Sequence, residues 1–486
     1  MVGISMYGGY VPSYRLNRMT VFAAMGWLNP ASMMIAAGEK AVANFDEDAI
    51  TMAVAAGNSC LEDKSREKIE GLYLATTTAP FKERQNANIV ADALCLKDDI
   101  RTADFTGSLK SGTSALLSAI EKVGFQQEGD VLVSASDCRL GKMGSVQEMF
   151  FGDAAASFLI SNEDVAVEFK GSFSAAYDFV DHLRGANSNY DRQWEERWMR
   201  DEGYERFIPE AIDGICRKYG VTIGDFSKII YPCYYKGARK GITKKLGLEP
   251  EKVQDDLQED LGDSGSAHPL IMLAKYLEEA KPGDKILLIG YGNGFDALYM
   301  EVNENIEKLN QRSKVSAYLS RRKELDKYTK YLVWRGIAPA EVGMRGEEDR
   351  LTRWSLVWRN REAINGMQGV KCEECGTQQY PPQRVCVNPD CGAIDKFTPV
   401  YLARKGGKIF SYTSDMLASS INPPAIYGNI EINGGGRMLM DFTDCTLDDL
   451  EVGKSVNFTY RIKFYDDKRD TTFYYWKAVP ESEEVS

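Results

Sequence analysis

Two short cysteine pairs carry the most specific chemistry in this 486-residue chain: Cys372-Glu373-Glu374-Cys375 and Cys386-Val387-Asn388-Pro389-Asp390-Cys391. Ten residues separate them, and Gly376 and Gly392 follow the second thiol of each pair. A zinc ion takes four thiolates at the corners of a tetrahedron, and two knuckle-like turns supply two each. Four thiolates close the coordination sphere, so no water can be activated there. The competing reading is four unrelated thiols, but two pairs both bounded by turn residues argue against coincidence. The spacing predicts a structural zinc ribbon on Cys372, Cys375, Cys386 and Cys391.

The elements around this ribbon differ on its two sides. Residues 1 to about 303 alternate between β-rich and amphipathic runs. Strands are expected at Ile69–Thr76, Val131–Ser136, Ala154–Ile160, Ile229–Cys233 and Ile286–Gly290, and helices at Gly112–Val123 and Pro269–Ala280. This alternation implies a layered α/β fold. Residues 304 to 368 are rich in Arg, Lys, Glu and Trp and read as a helical connector. The aromatic spacing of Tyr328, Tyr331 and Trp334 suits a docking helix better than a ligand cage. Residues 369 to 395 hold the ribbon. Residues 396 to 480 alternate as short strands, which suggests a small barrel such as an OB-fold. An acidic tail, 481 to 486, closes the chain.

Composition excludes several classes. A net charge of −12 argues against a nucleic-acid backbone as main partner. No run approaches eighteen apolar residues, so no membrane span is expected. Met1-Val2-Gly3-Ile4-Ser5 lacks the charged and apolar regions of a signal peptide. The other six cysteines show no disulfide-like spacing, which fits a reduced, cytoplasmic setting.

Several segments resemble archaeal-type 3-hydroxy-3-methylglutaryl-CoA (HMG-CoA) synthases. They are Gly8-Gly9-Tyr10-Val11-Pro12-Ser13-Tyr14-Arg15, the stretch from Gly38 to Ala53, Ser108-Leu109-Lys110-Ser111-Gly112-Thr113-Ser114, and Gly290-Tyr291-Gly292-Asn293-Gly294-Phe295-Asp296-Ala297. The resemblance covers residues 1 to 303. It implies a thiolase fold with two similar halves in a five-layered α-β-α-β-α core. Residues 332 to 480 resemble the zinc-ribbon and OB-fold module found beside thiolases, through Cys375-Gly376, Tyr380-Pro381-Pro382-Gln383-Arg384 and Tyr474-Tyr475-Trp476-Lys477. The second pair of that module is usually spaced by two residues, and here by four.

The departures from the family concern its chemistry. An HMG-CoA synthase uses a Cys to carry an acetyl group, a Glu to take a proton from it, and a His to polarise the acceptor ketone. The family motif A-C-K-A-G-T falls on Ser108–Thr113 and puts Leu109 at the nucleophile. Counting back from Lys244-Lys245-Leu246-Gly247 puts Pro232 at the His. Thr77, in Ala75-Thr76-Thr77-Thr78, best matches the Glu. None of the three can do the family's work. His182 and His268 are the only histidines. His268 opens a helix after Gly262–Ala267, where the helix dipole depresses an imidazole's pKa. It is a weak replacement candidate, as is Cys233, beside the lost His. Cys138 reads as a small buried residue. Lys236, Arg239, Lys240, Lys244 and Lys245 form a local basic run that would suit CoA phosphates or simply face solvent.

Two functions follow. One is a catalytically degenerate subunit of an acyl-CoA thiolase complex. It would dimerise through the thiolase-like half and bind a catalytic thiolase, with structural zinc and a CoA thioester as ligands. The other is an active condensing acyltransferase acting on CoA thioesters without the usual Cys nucleophile.

Overall fold

The structure is a computed structural model that describes residues 1–62, 64–126, 129–310, 314–341, 343 and 353–481. Apart from Glu481, the acidic tail lies outside the described residues. Chain contacts divide the protein into two compact units. The first holds Met1–Ala43, Asp48–Ala87 and Lys97–Ile337; the second holds Asn44–Glu47, Asn88–Leu96 and Ala338–Ser486. No helix among the described residues is long and apolar enough to cross a membrane.

The largest sheet of the first unit has nine strands: β1 (Gly3–Tyr10), β2 (Ile69–Ala75), β3 (Arg101–Phe105), β4 (Asp130–Asp137), β5 (Ala154–Ser161), β6 (Val167–Ala176), β7 (Lys228–Ile230), β8 (Lys285–Tyr291) and β9 (Gly294–Val302). β4 and β5 are buried at every position, as expected of strands covered on both faces. The sheet order is β7-β8-β9-β6-β1-β5-β4-β2-β3. It contains a repeat. In chain order the first five strands lie 3-2-4-5-1, and the last four repeat 2-4-5-1 with the third strand missing. Orientations repeat as well. β2 and β4 are parallel, as are β7 and β8, while β5 and β9 run antiparallel to their neighbours. The halves join through two residue pairs, Gly3 with Glu168 and Ile4 with Val167. This is the thiolase-like duplication.

Helices cover and separate the halves: α1 (Ala49–Leu61), α2 (Ser111–Gln126), α3 (Glu205–Tyr219), α4 (Lys236–Lys245), α5 (His268–Leu277) and α6 (Tyr328–Trp334). Asp48 and Thr51 form a reciprocal cap at the start of α1. α2 and α5 share one core cluster, with Leu116, Ile120, Leu270 and Leu273 buried in it. A Cβ on Gly112 would lie 2.3 Å from the Ser266 carbonyl, so only glycine permits this approach of α2 to the lead-in of α5. One expected strand is shorter than its apolar run. β7 stops at Ile230 instead of Cys233. Its parallel pairing with β8 ends there, and Pro232 has no N–H to extend it.

α6 belongs to the first unit and buries its rings, as expected of a docking helix. Trp334 packs edge-on against Tyr14 at 4.9 Å, and the Tyr328 hydroxyl donates to Glu148 at 2.8 Å. Lys40 sits 4.4 Å over the Tyr331 ring.

The second unit carries two small sheets. β10 (Gln368–Cys372) lies between β11 (Gln378–Gln379) and β12 (Phe397–Tyr401). A five-stranded sheet has the order β15-β14-β13-β16-β17, from β13 (Gly407–Asp415), β14 (Ala425–Ile432), β15 (Arg437–Asp441), β16 (Ser455–Asp466) and β17 (Thr471–Pro480). Its neighbours are antiparallel. A parallel bridge from Phe442, just past β15, to Ala478 of β17 brings the two edges together. Arg461 of β16 is buried and pairs with Glu47 and Asp444, with Asp46 at 3.8 Å. Lys477 holds Asp46 at 2.8 Å. Trp354 packs on Phe473 at 5.0 Å, whereas Trp358 is exposed.

Candidate active site

The loops before α2 and α5 and after β7 converge in the first unit on one small cavity. It is lined by Leu109, Tyr204, Pro232, Cys233, Tyr234, Gln258, Asp263, Gly265, His268 and Tyr291. The fold thus brings together four residues singled out from sequence: Leu109, Pro232, Cys233 and His268. The cavity volume is about 10 Å³, room for about one water. Tyr204 stacks on Tyr291 at 4.2 Å and walls one side. Leu109 lies in the turn just ahead of α2. A Cβ on Gly292 would lie 2.9 Å from the Leu109 and Lys110 amide nitrogens, so the glycine turn presses directly on this segment. Lys110 reaches Asp296 at 3.1 Å, and Ser114 donates to it at 2.6 Å, which fixes the start of the helix.

The nucleophile and base candidates are both buried and hydrogen-bonded. Burial raises the Cys233 thiol pKa to about 12, and its Sγ lies 3.7 Å from the Tyr235 carbonyl. A thiol with that pKa is almost wholly protonated near neutrality. His268 is buried, which depresses its pKa and keeps the ring neutral. Its Nε2 donates to the Asp256 carbonyl at 2.9 Å, and its Nδ1 accepts from the Ser264 N–H at 3.2 Å. Both nitrogens are therefore committed to the loop. Cys138 is half-buried. Its N–H donates to Thr78 Oγ1 at 2.9 Å and its carbonyl accepts from Arg335 at 3.0 Å. His182 bonds Asp181 at 2.8 Å.

Thr77 does not line the cavity. It belongs to a hub around Asp137, at the end of β4. One carboxylate oxygen accepts from the Thr77 and Thr78 N–H groups at 2.7 and 3.1 Å, and from the hydroxyls of Thr76, Thr77 and Thr78. The other accepts from the Ser266 N–H and hydroxyl at 2.8 and 2.7 Å. Arg139, two residues on, bridges Asp191 at 2.8 Å and Asp263 at 3.1 Å, and lies 3.8 Å from the Phe151 ring centre. Burial opposes the charge on Arg139, but Asp191 and Asp263 outweigh it and raise its pKa.

The basic run divides on α4. Arg239 turns inward onto the Tyr231 and Gln254 carbonyls, which removes it from ready contact with a phosphate. Lys236 pairs with Glu259 at 2.7 Å near solvent. Lys240, Lys244 and Lys245 are exposed.

In the second unit the four thiols of Cys372, Cys375, Cys386 and Cys391 lie within 4.8 Å of one another. Cys372 and Cys391 are 3.8 Å apart, and Cys375 and Cys386 3.5 Å. Zinc–sulfur bonds of about 2.3 Å at tetrahedral angles need sulfurs about 3.8 Å apart, so the donor set fits zinc. Gly376 and Gly392 have φ of +75° and +63°, as the knuckle turns require.

Sequence reasoning missed two residues. Asp137 sits in an unremarkable strand end, and its partners come from distant loops. Gln258 lies in the polar run Gln254-Asp255-Asp256-Leu257-Gln258, which reads as a solvated loop, yet its side chain is 2% exposed and faces the cavity.

Comparisons with known proteins fall on the same unit. Residues 216–301 match the family model for the 3-oxoacyl-[acyl-carrier-protein (ACP)] synthase III C terminal. A hydroxymethylglutaryl-CoA synthase of Thermococcus gammatolerans is 30% identical over 334 residues, 67% of this chain and 93% of that protein. Its counterpart from Pyrococcus furiosus is 31% identical over the same shares. Among solved structures, an HMG-CoA synthase complexed with CoA superposes with a TM-score of 0.64 at 18% identity, covering 72% of this chain and 94% of that one. The HMG synthase of the curacin biosynthetic pathway gives 0.61 at 19% identity, covering 69% and 88%.

Proposed function

The chain belongs to the hydroxymethylglutaryl-CoA synthase family, and from that premise we propose that it is a catalytically degenerate member. It serves as a CoA-thioester-binding subunit of a thiolase-type complex that forms or cleaves carbon–carbon bonds. The observation that carries this is Leu109 facing the cavity at the head of α2, opposite Pro232, with the nearby Cys233 and His268 both disarmed by burial and hydrogen bonding. An apolar side chain there cannot be acylated, and no lining group supplies a free base.

The second unit supports a zinc ribbon over residues 369–395, with Cys372, Cys375, Cys386 and Cys391 as ligands. Its five-stranded order and parallel bridge support an OB-fold over residues 396–480. The metal's role there is structural, and the module contributes to partner and thioester binding. The chain pairs with itself through the thiolase-like half and with a catalytic thiolase. Lys236, Lys240 and Lys244 offer charge to CoA phosphates. The setting is cytoplasmic.

A second reading is favoured by the relatives, which this chain matches over 93% of their length and which are named hydroxymethylglutaryl-CoA synthases. In it, two CoA thioesters condense directly without an acyl-enzyme. Light scattering after size exclusion, on the chain alone and co-expressed with a thiolase encoded beside it, tests the partner reading. Co-elution, with thiolase activity that depends on this chain, supports it. A thiolase fully active alone that never co-elutes refutes it. Condensation product from the isolated chain moves the assignment to the second reading.

A further inference from the structure

Among the described cavity-lining residues, Gln258 is the one whose side chain leaves both a donor and an acceptor unserved. Its side chain is 2% exposed, and neither its Oε1 nor its Nε2 has a hydrogen-bond partner among the described residues. Its backbone is fully engaged: the N–H donates to Asp256 at 3.2 Å and the carbonyl accepts from Arg18. The amide is thus held in place by its own chain while its polar end goes unserved. A buried amide without partners is costly, and folds keep one only where something else completes it.

Three features define what completes it. Free volume of about 10 Å³ admits roughly one oxygen-sized group. The lining is otherwise apolar or aromatic at Leu109, Pro232, Tyr204 and Tyr234. The charged group at its wall is Asp263, whose own cation, Arg139, is shared with Asp191. Among the described residues no Lys or Arg lines the cavity, and His268 has both ring nitrogens engaged. An anion entering here would meet a carboxylate and no counter-charge.

We propose that Gln258 is a specificity-determining residue that reads an uncharged oxygen on the acyl chain of a bound CoA thioester and turns away acyl chains ending in a carboxylate. A hydroxyl suits the site better than a ketone. The hydroxyl of a 3-hydroxyacyl thioester both donates to Oε1 and accepts from an Nε2 proton with one oxygen, whereas a ketone oxygen only accepts and leaves Oε1 unserved. The inference rests on the CoA-thioester reading above and gives it a ligand class.

Titration calorimetry on the full chain, with CoA, butyryl-CoA, 3-hydroxybutyryl-CoA and succinyl-CoA as probes, tests it. The hydroxyacyl thioester should bind about five- to tenfold more tightly than butyryl-CoA, the worth of one or two neutral hydrogen bonds. Succinyl-CoA should bind at least about tenfold more weakly than butyryl-CoA. In Gln258→Met the hydroxyl preference should vanish while butyryl-CoA affinity holds. The same variant should melt no lower than the parent, because methionine keeps the volume and removes a group with no internal partner. A clear fall in melting temperature would show the amide to be structural and overturn the proposal. Binding of CoA with no discrimination among the three thioesters overturns this inference alone. Failure of CoA and every thioester to bind overturns the underlying reading and this one with it.

Discussion

Replacing Arg461 by methionine exposes how the second unit balances charge that it has taken out of water. Arg461 is 1% exposed, in contact with Glu47 and Asp444 and 3.8 Å from Asp46. Lys477 shares only Asp46, at 2.8 Å. Methionine fills most of the same space, so the change removes charge more than volume. Lys477 still serves Asp46, and the loss falls on Glu47, whose side chain is fully buried. Removing one partner of a buried ion pair costs about 3–5 kcal/mol. About 3 kcal/mol corresponds to more than a hundredfold rise in local opening. Hydrogen exchange read by mass spectrometry over Ser455–Asp466 and Thr471–Pro480 measures that opening directly.

The pH dependence has a definite sign. Burial alone would raise the Asp46 carboxyl, but Lys477 and Arg461 together hold it below its usual range. A depressed carboxylate contributes stability that is complete above its unfolded pKa of about 3.9 and is lost as pH falls through the lower folded value. The parent should therefore be flat from pH 7 to pH 5 in this respect. In Arg461→Met the buried carboxylates that have lost this cation can take up a proton as pH falls, which relieves part of the penalty. The deficit should be larger at pH 7 than at pH 5. A deficit under about 1 kcal/mol, or one equal at both pH values, would refute the reasoning.

Elemental analysis should find one zinc per chain, and Cys375→Ser should abolish it and speed exchange in the second unit while leaving the first unit's strands protected. Stoichiometric metal in that variant would contradict a four-thiolate site. Intact-mass spectrometry after incubation with acetyl-CoA should show no adduct on the parent, and Leu109→Cys alone should yield no HMG-CoA; a stable acetyl group on Cys233 would revive it as a nucleophile. His268, neutral in the fold, takes up a proton more readily when unfolded, so stability should climb as pH rises from its depressed folded pKa to about 6.5. His268→Gln should flatten that slope in denaturant titrations at pH 5 and 7, and an unchanged slope would place the effect elsewhere.

Sequence patterns reached the elements further than their arrangement. Ile69–Ala75, Ala154–Ser161 and Tyr328–Trp334 are visible because their apolar spacing is local. The repeated 2-4-5-1 strand order is not, because pairing between strands over a hundred residues apart leaves no period in the chain. Nor does any composition shift signal that Asn44–Glu47 and Asn88–Leu96 group with the C-terminal unit, although each is embedded in the N-terminal half. At the site, Leu109 and Pro232 are legible through alignment to motifs, Cys233 as the neighbour of Pro232, and His268 as one of only two histidines, at the start of a helix. Gln258 escaped because a neutral amide among acidic residues looks solvated. In sequence Arg239 reads as part of a basic run for CoA phosphates or solvent, since nothing in a helical run of lysines marks the cation that folds back onto carbonyls.

The hub around Asp137 has a historical consequence. Thr77 presents both its N–H and its hydroxyl to that carboxylate, and Ser266 approaches it from the loop before α5. A Glu placed at position 77 would arrive beside a buried carboxylate whose neighbours are donors already spent, and the two like charges would repel. Regaining a base there requires Asp137 to be surrendered at the same time, and with it the bonds that join the Thr76–Thr78 turn to Ser266. Leu109 and Pro232 would each need their own reversal. On the degenerate reading proposed above, no single substitution among Thr77, Leu109 and Pro232 supplies a nucleophile, a base and an electrophile together, so the three positions form one linked barrier set by the fold.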